Sequence, residues 1–211
     1  MTLLILVPSH GEARALSRAV GPGGRLEICG VGPVAAALRS AALLSALGPL
    51  PCLLVGVAGT RDPARAPVGS LVRATSLRNE AVGAGEGASF LPLGELGLDE
   101  PDLPPDLIEA PEALLAAELP DCLAGQVGMV ATASASLEQA GARHGRYPEV
   151  LVEDMESHAV GLVASQAGAP LTVVRAVSNV AGDRDKARWD LSGSLRALAG
   201  LLARVTAEPR P

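Results

Sequence analysis

"LTVVRAVSNVAGDRDKARWD", residues 171–190, starts as a strand interior and stops being one at Ser178. The Val-rich run Leu171 to Val177 suits a sheet covered on both faces. It ends in two small hydrogen-bonding residues, Ser178 and Asn179, before Gly182 and a crowd of charges. The apolar stretch Leu191 to Val205 behind it has helical length. A buried strand, a polar strand end and a following helix form the repeating unit of an α/β sheet, and such sheets place ligands at the carboxyl ends of their strands. Asn179 stands at that end, an amide where a carboxylate is the more usual catalytic group.

Working outward, the same unit recurs. Apolar runs at Leu3 to Val7, Leu26 to Val31, Leu53 to Val57, Ser70 to Ala74, Val127 to Ala131 and Val150 to Val152 also read as strands. Helical stretches fall at Glu12 to Val20, Val34 to Leu47, Ser136 to Arg143 and Met155 to Ala167. Pro33 after Gly32 suits a first helical turn, while Gly48 with Pro49 and Gly168 with Pro170 close helices. This alternation predicts a mixed, mostly parallel sheet with helices on both faces, in one domain over residues 1–211. Asn79 to Pro120, rich in Gly, Pro and acids, reads as loops that cover a site or meet another subunit.

Composition narrows the function. The 211 residues are 48% hydrophobic and 19% charged, as in a globular protein, and the net charge of −6 with scattered arginines argues against nucleic acid as a partner. Cys29, Cys52 and Cys122 share no metal-binding spacing and fit a reducing compartment. The apolar run Leu3 to Val7 is too short for a signal peptide or a membrane span, so the expected location is cytoplasmic, with no membrane partner. One Phe, one Trp and one Tyr leave few rings for a planar ligand, which draws attention to Phe90, Tyr147 and Trp189.

Several motifs stand at strand ends. "GVGPVAAA" from Gly30 lacks the third glycine and distal acid of a dinucleotide fingerprint. "GVAGT", residues 56–60, is either a tight turn or a place where Ala58 and Gly59 let a ligand approach the backbone. Glu12, just past the first strand, either complements a helix dipole or serves as a general base. "VEDMESHAV" crowds Glu153, Asp154 and Glu156 at a strand-to-helix junction. One or two of these acids are expected to be solvated, and Glu156 is the candidate retained. His10, His144 and His158 form no metal set, and no nucleophile turn of the GxSxG kind exists.

In order and spacing, Glu12, "GVGP" at 30–33, "GVAGT" at 56–60, "VEDMES" at 152–157 and "VRAVSN" at 174–179 resemble the nucleoside phosphorylase and nucleosidase superfamily. The tail "SNVAGDRDKARWDL" is similar to that of futalosine hydrolases, which release hypoxanthine from futalosine in the alternative menaquinone pathway. The resemblance implies a three-layer α/β/α sandwich acting as an N-glycosidase, without cofactor or metal, and commonly a homo-oligomer. It implies Glu12 as the base that activates water, Glu156 as the acceptor of the ribose hydroxyls, and Met155 against the sugar. Relatives that release adenine carry Asp where Asn179 stands. Hypoxanthine has a 6-oxo group that only accepts, which suits the donor of an amide. Two departures stand out. "MES" with His158 replaces a smaller "MEGAA" pattern, and in "ATASASL", 131–137, Ser134 and Ser136 stand where adenine-releasing relatives tend to carry an Asp and a stacking Phe.

The site expected from all this has Glu12, Glu156 and Asn179 as catalytic residues. Ala58, Gly59, Phe90, Leu137, Met155 and Trp189 are expected to contact a small purine nucleoside. A phosphorylase is the nearest rival and would need converging cations, for which only Arg14, Arg61 and Arg65 lie near the relevant loops. A nucleoside-binding protein without turnover would lack the water-activating acid, and Glu12 is present.

Overall fold

A computed structural model describes residues 2–86, 89–98, 105–109 and 119–208. Its central strands are β1 (Leu3–Val7), β2 (Gly24–Ile28), β3 (Cys52–Thr60), β4 (Leu71–Asn79), β8 (Leu123–Met129), β9 (Val150–Asp154) and β10 (Leu171–Val180). The short β5 (Gly83–Ala84) and β6 (Leu91–Pro92) pair with each other, and β7 (Leu107–Glu109) pairs with β4. The helices are α1 (His10–Leu16), α2 (Pro33–Leu47), α3 (Leu137–Arg146), α4 (Ser157–Gln166) and α5 (Leu191–Val205).

The sheet is mixed and mostly parallel: β1 lies parallel to β2 and β3, β10 to β3, and β8 to β4 and β9. Antiparallel contacts join β10 to β4 and β3 to β9. The expected mixed, mostly parallel sheet is present, and these pairings together close a ring through β3, β10, β4, β8 and β9 that the strand pattern does not specify. Closure needs long strands. β3 pairs with β1 near its start and with β9 at its last two residues, and β10, ten residues long, spans both β3 and β4.

Period-two alternation sorts the core into two layers. On β1, Leu4 and Leu6 face a cluster with Leu43 and Leu44 of α2 and Val160 and Ala164 of α4. Leu3, Ile5 and Val7 face the other side, with Leu16 of α1 and Leu198, Leu201 and Leu202 of α5. All five β1 side chains are fully buried, each contributing about 1.5–3 kcal/mol. Neither cluster contains an aromatic ring. Cys29 and Cys52 belong to the first, and burial pushes the Cys29 thiol up to about 12, so it packs as a small apolar group.

Two boundaries differ from expectation for local reasons that shape the site. β2 ends at Ile28 rather than Val31, because Gly30 and Gly32 take φ of 94° and 86°, which a strand cannot hold. The fourth helix starts at Ser157 rather than Met155. Asp154 Oδ1 accepts hydrogen bonds from Ser157 N (3.2 Å) and Oγ (2.8 Å), and Glu156 occupies the cap with φ −131°. Met155 and Glu156 therefore form a bend outside the helix.

Candidate active site

The carboxyl ends of β1, β3, β9 and β10 surround a cleft of about 290 Å³. Glu12, Glu156 and Asn179 all line it, with Ala58, Gly59, Met155 and Trp189.

Glu12 sits at the third position of α1. Ser9 Oγ accepts from Glu12 N (3.2 Å), and Glu12 Oε2 accepts from Ser9 N (3.1 Å) and Ser9 Oγ (2.6 Å). This reciprocal cap is the structural use of an acid at a helix start. The cap engages Oε2, while Oε1 accepts from Val57 N at 3.1 Å. One side chain thus ties the end of β1 to the end of β3 and still presents its carboxylate to the cleft.

Beneath the floor lies Arg175, fully buried on β10. Its Nε and Nη2 contact Asp154 Oδ2 at 2.7 and 2.6 Å, and Nη2 also reaches Glu156 Oε2 at 3.2 Å. Among the described residues Nη1 has no hydrogen-bond partner. A Cβ added at Gly56 would lie 2.3 Å from that nitrogen and 2.9 Å from Glu12 Oε1, so glycine is required where both groups crowd the β3 backbone. Arg175, Gly56 and Gly32 carry no signal by residue type alone: an arginine inside a Val-rich run looks like an interruption, and its role emerges only from the acids around it.

Glu156 Oε1 accepts from Gly32 N at 2.9 Å, which is why the chain leaves β2 through two left-handed glycines. Burial pushes its carboxyl up to about 7. Arg175 opposes the rise, but it lies closer to Asp154, while the negative charges of Asp154 and Glu12 add to it. The expectation that one or two of the crowded acids are solvated is corrected, because Glu153, Asp154 and Glu156 are each 4–5% exposed. Arg175 and Arg61 offset their charges inside the protein. His158 turns away, its Nε2 2.7 Å from the Pro105 carbonyl oxygen.

At Asn179 the register between β10 and β3 slips after Val177, so Asn179 pairs with Gly59. Such irregularities re-aim a side chain. Ser178 Oγ donates to Asn179 Oδ1 (2.9 Å), and Asn179 Nδ2 donates to Val180 O (2.8 Å). The amide is thereby held in one orientation, and among the described residues Nδ2 donates one of its two N–H groups. Trp189 Nε1 donates to Asp183 O at 2.9 Å, and the Arg184 guanidinium lies 5.6 Å over the indole.

Two expected contacts fall elsewhere. Phe90 lines a separate cavity of about 170 Å³ beside Glu80 and Arg143, because the β5–β6 pairing seats its ring against Gly83. Leu137 opens α3 behind its cap Ser136 and is 61% exposed, so its side chain points to solvent.

Residues 5–208 match the family described as the phosphorylase superfamily. A futalosine hydrolase of Streptomyces coelicolor is 37% identical over 83% of this chain and 75% of its own length. The chain belongs to the futalosine hydrolase family of that superfamily. A second futalosine hydrolase, from Acidothermus cellulolyticus, is 32% identical over 72% of the chain and 60% of its own length. Solved structures share the fold of this family member. A methylthioadenosine/S-adenosylhomocysteine nucleosidase of Colwellia psychrerythraea, in complex with adenine, superposes with a TM-score of 0.80 at 20% identity over 98% of this chain and 95% of that one. The corresponding Helicobacter pylori enzyme gives 0.80 at 21% identity over 99% of both chains. By its membership of that family this chain is an N-glycosidase.

Proposed function

We propose that this N-glycosidase hydrolyses futalosine, or a close 6-oxopurine nucleoside, and releases hypoxanthine. The observation that carries the reading is the convergence of Glu12, Glu156 and the oriented amide of Asn179 on one cleft. Cleavage breaks the bond between C1′ and N9 and leaves positive charge on the ribose. Glu12, held at both oxygens by Ser9 and Val57, takes a proton from the water that attacks C1′. Ionised Glu156 accepts the ribose hydroxyls and stabilises the developing cation, with Arg175 and Gly32 N holding it in place. The second N–H of Asn179 donates to the purine's acceptor edge as charge builds on the leaving base. An ionised carboxylate at that position would repel the same edge.

Hydrolysis rather than phosphorolysis is favoured by where the cations lie. The Arg61 side chain is fully buried between Glu80 and Glu153, and Arg14 and Arg65 are exposed outside the cleft lining; Arg184, the one arginine lining the cleft among the described residues, lies over the Trp189 indole, so no set of cations converges there. The test is base release from futalosine, inosine and methylthioadenosine, with and without phosphate. Hypoxanthine released from futalosine in phosphate-free buffer is the expected result, and release that needs phosphate would refute hydrolysis. A homo-oligomer in the cytoplasm fits this reading: Val31, Val34 and Leu38 leave an apolar edge 57–71% exposed next to the cleft, suited to a second copy.

A further inference from the structure

A buried cluster on one wall of the cleft takes no part in these steps. Glu153, 5% exposed, lines the cleft. Its Oε1 accepts from Ser134 N at 2.7 Å, and its Oε2 from Ser134 Oγ at 2.8 Å and Arg61 Nε at 3.0 Å. Arg61 Nη1 also grips both oxygens of Glu80 at 2.7 and 3.0 Å. Arg143 Nη1 donates to Ser134 Oγ and to Thr132 O, each at 3.0 Å, and lies 3.5 Å from Glu153 Oε2. One buried carboxylate, Glu153, and one guanidinium, Arg143, thus meet at a serine itself 1% exposed, with Arg61 and Glu80 paired behind Glu153.

Buried ion pairs of this kind add little net stability, because desolvation offsets their attraction. Orientation is the better account, and the oriented object is the segment 130–136, whose Val130, Ala133 and Ser134 line the cleft. Asn179 of β10 and Glu153 of β9 are both in register with Gly59 of β3, so this wall stands beside the amide proposed to meet the base. Among the described residues Trp189 is the one aromatic side chain lining the cleft, and it lies beyond β10. We infer that Glu153 and Arg143 are positioning residues that lock Ser134, so that hydrogen bonds and ion pairs, rather than a stacked ring, fix the wall against which the purine lies.

The inference rests on the proposed placement of the base at Asn179, and its test separates the two. Ser134→Ala, Arg143→Met, their double variant and Arg143→Lys are compared on whichever nucleoside the wild type cleaves fastest. Ser134→Ala and Arg143→Met each remove two hydrogen bonds within a charged cluster, so KM should rise about tenfold with kcat altered less than about twofold. Because both hold the one segment 130–136 and share the Arg143–Ser134 bond, the double variant should rise well short of the hundredfold product, and Arg143→Lys should recover most of the loss. Unchanged KM with only a lower Tm, or effects that multiply, would overturn the inference. Calorimetric titration with free hypoxanthine and free adenine runs in parallel. Equal purine affinity in all variants would sink this inference alone, whereas no purine binding to the wild type would sink the functional reading with it.

Discussion

Glu156 makes the site less stable under the conditions in which it works. Its carboxyl titrates near 7 in the folded protein, against an ordinary 4.5, because it is buried beside Asp154 and Glu12. Between these values the folded state holds a proton that the unfolded state has lost, so stability falls as pH rises through this window. The gap, at 1.36 kcal/mol per pH unit, corresponds to about 3 kcal/mol. Glu156→Gln keeps an acceptor for Gly32 N and cannot ionise. Urea unfolding of wild type and variant at pH 5 and pH 8 isolates the effect of Glu156 and its charged neighbours, since titrating groups remote from it cancel in the difference. The wild type should lose about 3 kcal/mol relative to Glu156→Gln between the two pH values. Its kcat/KM should rise through pH 7 over the same range, because the ionised form is the one that accepts the ribose hydroxyls. A stability difference that does not move with pH would show that burial does not raise this carboxyl, and the reasoning would fail.

Other perturbations have equally definite outcomes. Glu12→Gln keeps an acceptor oxygen for the Ser9 cap but turns its amide nitrogen toward Val57 N, so Tm should fall modestly, while kcat drops by about 100-fold or more with hypoxanthine affinity nearly unchanged; a wild-type rate would remove Glu12 as the base. Asn179→Asp should shift the kcat/KM ratio from hypoxanthine toward adenine nucleosides, and an unaltered ratio would undo the specificity argument. Gly56→Ala drives a methyl to within 2.3 Å of Arg175 Nη1, so thermal unfolding should show a loss of about 1–3 kcal/mol together with reduced turnover. An unperturbed protein would mean that Arg175 does not need its present position.

Much of this fold and site is legible in the sequence, and the rest is not for physical reasons. Period-two and helical runs located the strands and helices because burial selects apolar residues at fixed spacings. Ring closure is hidden, since β3 changes partner on one edge from β1 to β9 along its length and no residue type marks such a switch. Glu12, Glu156 and Asn179 were legible as polar residues at the ends of apolar runs. Arg175 was not, because a buried cation is intelligible only beside Asp154 and Glu156, about twenty positions away. Phe90 misled for a related reason: scarcity of rings made it conspicuous, whereas its position is set by a two-residue strand pairing that composition cannot express.

The central claim, that the oriented amide of Asn179 selects a 6-oxopurine for hydrolysis, is tested most directly by one pair of rates. Wild-type kcat/KM is measured for futalosine and for its 6-amino counterpart in phosphate-free buffer. A site that spends its donor on a keto oxygen should favour futalosine by about 100-fold or more, because the amino analogue leaves that donor buried and unpaired. Equal rates, or preference for the 6-amino compound, would contradict it.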